Sequence, residues 1–135
     1  MITQAIYNLL IADATLTAML NTYGGDPAIF TTSIAPGDAE LPYVIVSTIV
    51  SQTPFDTKTS LGRVTVIDVR CYTGHTGSAV LVEQIAERVR ELLHRQTLVI
   101  VDFVHLWSSC DGPISIDETD AYGRLVTVTV TAEEV

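Results

Sequence analysis

The side chains able to do chemistry are scattered along the chain. His75, His94 and His105 fall in three different predicted elements, and no HxxxH or HExxH spacing aims two imidazoles at one metal ion. Asp68 and Asp102 lie in strand patterns and could pair as carboxylates, but Asp68 has nearer partners in Arg63 and Arg70. No Ser-His-Asp or Cys-His set assembles from these spacings. The stretch "YTGHTGSAVLV", 72–82, is strand, Gly-x-x-Gly, helix, the order of a phosphate cradle. It lacks the lysine of GxxxxGK[ST] and the spacing of GxGxxG, so Gly74 and Gly77 read as a tight turn. "CDGPISIDETD" holds Asp111, Asp117, Glu118 and Asp120 without the register of a calcium loop. It reads as a solvated acidic loop. Cys71 and Cys110 form no CxxC, and spacing alone does not say whether they meet. The sequence therefore offers no catalytic residue, no metal site and no cofactor site.

The elements that would position these groups read as one domain, 1–135. "ITQAIYNLLIADATLTAMLN" has helical spacing at Ile2, Ala5, Ile6, Leu9 and Leu10, with Asp13 as the N-cap of a second short turn. "TYGGDP" stops it. Ile29 to Ile34 reads as a short edge strand, and Pro36-Gly37-Asp38 as a turn. Pro42 lacks an amide hydrogen and suits the entry to a strand, so "YVIVSTIV", 43–50, follows it, apolar on both faces and hence central. A polar loop is expected over 51–62, and a partner strand over 63–72 with Thr65, Ile67, Val69 and Cys71 on one face.

"SAVLVEQIAERVRELLHR" carries an apolar stripe of Val82, Ile85, Ala86, Val89, Leu92 and Leu93, with Ser78 as its N-cap and His94 in its last turn. "LVIVDFVHLW", 98–107, reads as a strand with Phe103, His105 and Trp107 on one face. Residues 108–123 read as loop, with a short strand at Ile114–Ile116. In 124–132, Val126, Val128 and Val130 point inward and Thr127, Thr129 and Thr131 outward. The expected class is α+β: an antiparallel sheet of about four to five strands with two helices packed on one face.

Composition narrows the function. Sixteen acids oppose seven bases, for a net charge of −9. Such a chain repels phosphate backbones, which argues against nucleic-acid binding. Charged residues make up only 17%, against ~25% in ordinary soluble domains, and mean hydropathy is +0.36. No apolar run approaches the ~18 residues of a membrane span. Low charge with high apolarity fits surface hidden against sister subunits; a monomer with a large sheet is the other reading. "MITQAIYNLLIADA" has no basic n-region, so a signal peptide is not expected.

Taken in order, "LIADATLTAML", "IAPGDAELPYVIVS", "RVTVIDVRCYT", the amphipathic helix and "GRLVTVTVTAE" make a pattern that resembles the tail-completion, or tail-terminator, proteins of long-tailed phages and prophages. The approach to the first strand, Pro36 to Val44, carries most of the resemblance, followed by Arg63 and Ile67-Asp68-Val69. The resemblance implies a ring of about six copies at the head-proximal end of the tail tube, assembled in the host cytoplasm and resident in the virion. Its implied partners are the tail tube protein and the head–tail connector, with DNA passing through the lumen without specific binding and no membrane involved. It carries over no catalytic residue. The loops 51–62 and 111–123 are then the expected contacts. Phe55 and Tyr122 are the expected anchors, because aromatics dominate interface energetics, with Asp56, Lys58, Asp117 and Glu118 beside them. A head–tail joining adaptor, and a small cytoplasmic ligand-binding α+β domain, are the alternatives.

Overall fold

The computed structural model describes residues 2–32, 34–54, 61–74, 76–100, 102–118 and 120–134; at Thr48 and Leu106 only the backbone is described. The N-terminal helical pattern resolves into α1 (Ile2–Ile11) and the single turn α2 (Ala14–Thr17). Asp13 separates them in the capping role its type predicts, accepting the Leu16 amide at 2.8 Å. Three two-residue strands follow: β1 (Thr22–Tyr23), β2 (Asp26–Pro27) and β3 (Ile29–Phe30). The long elements are β4 (Tyr43–Pro54), β5 (Gly62–Thr73), α3 (Val80–Leu93), β6 (Phe103–Ser115) and β7 (Tyr122–Glu134).

β1 and β2 form a small hairpin, and the other strands form one five-stranded sheet in the order β3-β4-β5-β7-β6. All its neighbours are antiparallel except β3, which runs parallel to β4. The mixed α+β class and the mostly antiparallel sheet agree with the sequence. The main sheet has five strands, within the expected four to five; among the described residues a two-stranded hairpin is added to it, and the helices number three rather than two.

One face of the sheet and the helix layer make the main core. Val44, Val46, Ile67, Val69, Cys71, Val126, Val128 and Val130 meet Ile6, Leu10 and Leu16 and the α3 stripe of Val82, Ile85, Val89 and Leu93. Each such fully buried aliphatic side chain contributes about 1.5–3 kcal/mol. A smaller cluster lies on the other face at one end, where Phe30, Ala35, Leu41 and Ile116 pack against Ile45, Tyr72 and Ala121. That second cover is why Ile45 is as buried as its neighbours, and why the start of β4 is apolar on both faces.

Four expectations are corrected. β4 continues through residues 51–54, which pair with Val66 to Arg63, so the expected loop is shorter. Residues 98–100 and 102 are not strand; Ile100 only bridges Phe103. Residues 108–115 are strand rather than loop, because burying Ser108 and Cys110 against Val130 and Val128 outweighs the Gly-Pro break. Gly112, at φ 98°, absorbs that break, and a Cβ there would meet the Leu125 carbonyl oxygen at 2.6 Å. Lastly, Ser78 sits one position before the N-cap, which is Ala79, and its hydroxyl accepts the Val80 amide at 3.3 Å.

Candidate assembly surfaces

The two ends of the long strands differ in chemistry. At one end, the loop joining β6 to β7 returns beside the start of β4, bringing six exposed carboxylates together: Asp26, Asp38, Glu40, Asp117, Glu118 and Asp120. Tyr23 donates to Asp38 at 2.8 Å, and edge-to-face ring contacts run from Tyr23 through Phe30 and Tyr43 to Tyr72. Asp117 accepts the Gly123 amide at 2.9 Å and Arg124 Nη1 at 2.9 Å. The backbone amide first, with Arg124 adding to it, holds its carboxyl below the usual carboxylate range. Arg124 also reaches Glu83 at 3.3 Å, so this cation is shared between two acids.

The opposite end carries cations on rings beside the carboxylates of Asp102, Glu133 and Glu134. Arg63 lies over Phe103 at 5.2 Å, and Arg95 over Trp107 at 5.3 Å. Among the described residues no carboxylate comes within salt-bridge distance of either. Trp107 is 49% exposed, Val104 52% and Val99 89%. The sequence placed Phe103, His105 and Trp107 on one face. The structure separates them, because a bulge between His105 and Trp107 shifts the register, so that His105 faces Ala132 and Trp107 faces Thr131. A slip of one residue turns a side chain to the other face, and here it sends the only tryptophan out to solvent.

The turn that carries Arg95 is built into the core. The Ser108 hydroxyl, almost wholly buried, lies 2.9 and 3.0 Å from the Leu93 and Gln96 carbonyls and shares its single proton between them, closing the end of α3. The Cys110 amide donates to His94 Nδ1, and the Arg95 amide to the Ser108 carbonyl, both at 3.0 Å. His94 thus serves as an acceptor from β6. Arg95 itself has φ 56°, the left-handed position after a helix where glycine is usual.

Of the expected contact residues, Phe55, Asp56 and Lys58 lie outside the described residues. Asp117 and Glu118 sit together in the acidic loop, where the Glu118 amide meets the Ala121 carbonyl at 2.8 Å. Tyr122 opens β7 and is half-buried against the main core. The stacked pairs Arg95–Trp107 and Arg63–Phe103 were missed, because no spacing rule marks a cation that rests on a ring.

Nothing described converges into a reaction centre. A groove of about 510 Å³ beside α1 is lined by Thr3, Gln4, Asn8 and Thr31 with a single carboxylate, Asp102. Among the described residues no three His, Cys, Asp or Glu could share a metal ion, and no helix is long and apolar enough to cross a membrane. Cys71 and Cys110 are both free and buried, and burial pushes their thiols up to about 12 and about 11.

What the fold defines is a small mixed α+β unit built on a mostly antiparallel sheet. The family model for tail completion protein gp17 matches residues 4–133, and the chain belongs to that family. It is a structural protein of the phage tail, and its place is the virion tail. The fold is shared with a chain from a solved structure described as the virion of a native gene transfer agent particle, at a TM-score of 0.79 and 21% identity, over 97% of this chain and 93% of that one. No match to this sequence is found among the curated proteins.

Proposed function

We propose that this protein caps the head-proximal end of the phage tail tube as a ring of about six copies, ending tube growth and offering the surface to which the head attaches. The observation that carries the reading is membership of the tail-completion family over nearly the whole chain. The neighbouring fold in a gene transfer agent virion is consistent with a part built into a particle. Charge adds support. Glu83, Glu87 and Glu91 fall four residues apart on the exposed side of α3, one above another on a single helix face. Arg124 and Arg88 pair with Glu83 and Glu91, so the support comes from the net charge of −9, which suits a lumen wall that keeps DNA phosphates from sticking.

The test mixes the purified protein with tail tubes and, separately, with portal rings, and images both by electron microscopy. Rings seated at one tip of the tubes, with overlong tubes when the protein is left out of assembly, are expected. Binding to portal rings alone would sink the capping role and leave a head–tail joining adaptor.

A further inference from the structure

β6 is the outer strand of the five-stranded sheet and pairs within it only with β7. The main-chain groups on its other side need partners, because an unpaired edge is a template for a strand of another chain. In the middle of β6 those partners come from the turn after α3. The Ser108 carbonyl accepts the Arg95 amide, and the Cys110 amide donates to His94 Nδ1, both at 3.0 Å. Ser108 and Cys110 are two positions apart, so their main-chain groups point to the same side of the strand. The turn therefore lies along the edge in place of a further strand, and an imidazole makes one of its two contacts there. We propose that His94 is a proton-gated clasp on this edge: the neutral ring keeps the Cys110 amide closed, and protonation opens it.

The direction of the bond sets the chemistry. Nδ1 accepts a hydrogen, so the ring is neutral and carries its one proton on Nε2. A proton added from acid to Nδ1 removes the acceptor and sets two N–H groups against each other. A backbone carbonyl in the same place would hold the amide at any pH. The Ser108 hydroxyl, shared by the Leu93 and Gln96 carbonyls, does not titrate, so α3 stays seated while the edge opens.

A second histidine beside the turn acts with the same sign. His105 lines a cleft of about 160 Å³ with Arg95 and Ser108, and its Nε2 is enclosed without a hydrogen-bond partner. Burial pushes its imidazole below the ordinary value, offset in part by a hydrogen bond with the Trp107 backbone. Its contribution to stability is therefore complete above pH ~6.5 and lost as pH falls through the folded-state value.

The charged neighbours of the two rings come from four segments. α3 supplies Arg90, whose carbonyl accepts the His94 amide, and Glu91, which Arg88 holds. The turn supplies Arg95. β6 supplies Asp111, which acts on Cys110 together with Arg90. β7 sets Val128, Val130 and Ala132 opposite, with Glu133 one position on. Asp102 and Glu133 are the acids nearest His105 along the chain and across the ladder, yet only burial and the Trp107 backbone shift it.

The test is amide hydrogen exchange on the full chain by NMR at pH ~7.5 and pH ~5, corrected for intrinsic rates, with long-range nitrogen spectra to read the ring tautomers. His94 should carry its proton on Nε2 at the higher pH. At the lower pH the Cys110 amide should lose protection by at least about tenfold, while Ile67 and Val69 in the sheet centre keep theirs and so confirm folding. His94→Asn, which retains an acceptor but cannot titrate, should hold Cys110 closed at both pH values. His94→Phe should leave it open at both. A proton on Nδ1 in the wild type at pH ~7.5 would overturn the clasp without any variant. So would a Cys110 amide equally protected at both pH values. A pH response that survives His94→Asn but disappears in His105→Phe would move the gate to His105 and overturn the assignment to His94.

Discussion

Arg88 and Arg95 lie only seven residues apart, yet they serve opposite purposes. Arg88, on the body of α3, holds Asp13 through two hydrogen bonds of 3.0 and 2.7 Å and Glu91 through a third of 3.0 Å. It ties α3 to the capped start of α2 and has little left to offer a partner. Arg95, just past the helix end, lies on Trp107 in a left-handed backbone position and has no carboxylate among the described residues. The same division separates Arg124 from Arg63. Arginines committed to acids hold this molecule together, and arginines resting on rings are not tied in this way. The first pair should matter to stability, and the second much less.

The largest effect is expected where the acidic end is tightest. A Cβ on Gly123 would meet the Ile116 carbonyl oxygen at 2.8 Å and a Tyr72 ring carbon at 2.9 Å. Gly123→Val should destabilise by about 3 kcal/mol, since overpacking a fixed backbone costs this much, and it should displace the Asp117 turn. Chemical denaturation reads it directly, and an unchanged midpoint would mean that the loop yields freely. Arg88→Ala comes next, because it takes two charged hydrogen bonds from the half-buried Asp13 carboxylate and leaves it only the Leu16 amide.

The same pair gives stability a pH dependence. The Arg88 guanidinium holds the Asp13 carboxyl below its ordinary value. Its stabilisation is therefore complete above pH ~4 and lost as pH falls through the folded-state value. Asp13→Asn keeps the cap oxygen and removes the charge, so it should flatten this acid limb of the stability curve. An acid limb unchanged in that variant would assign the effect to other carboxylates, Asp117 first. Ser108→Ala is smaller, about 1.5 kcal/mol, for the loss of the one hydroxyl proton shared by the Leu93 and Gln96 carbonyls.

Much of this division was legible before the structure. Val126, Val128 and Val130 alternate with threonines and went where their period sends them; Asp13 capped where its type and position require. The α3 stripe was equally readable, because long periodic segments depend little on what lies far away. What failed was register. Nothing local marks the bulge between His105 and Trp107, because it arises from the pairing of β6 with β7, and so the tryptophan was placed on the wrong face. Gly112-Pro113 looked like the end of a strand, because local breaker chemistry cannot weigh the burial of Cys110. The acidic end was visible as composition, but its gathering from residues 26–40 and 117–120 required the fold. The arginine end was invisible, because a cation resting on a ring leaves no spacing rule behind.

The sharpest way to separate the two kinds of arginine is a substitution that improves the fold while removing the side chain. Arg95 occupies a backbone position that costs a non-glycine residue about 1 kcal/mol. Its side chain reaches Trp107 but holds no acid. Arg95→Gly should therefore leave the folded chain equally stable, or more stable by up to about 1 kcal/mol, with the strain relief partly offset by the lost ring contact. A partner of Arg88's kind could not be removed so cheaply. If Arg95→Gly instead lowers the denaturation midpoint by more than the ring contact explains, the residue is holding the turn for the protein's own sake. The contrast between committed and available arginines would then be wrong at this position. If the midpoint holds, the strained backbone is kept for the sake of something other than stability.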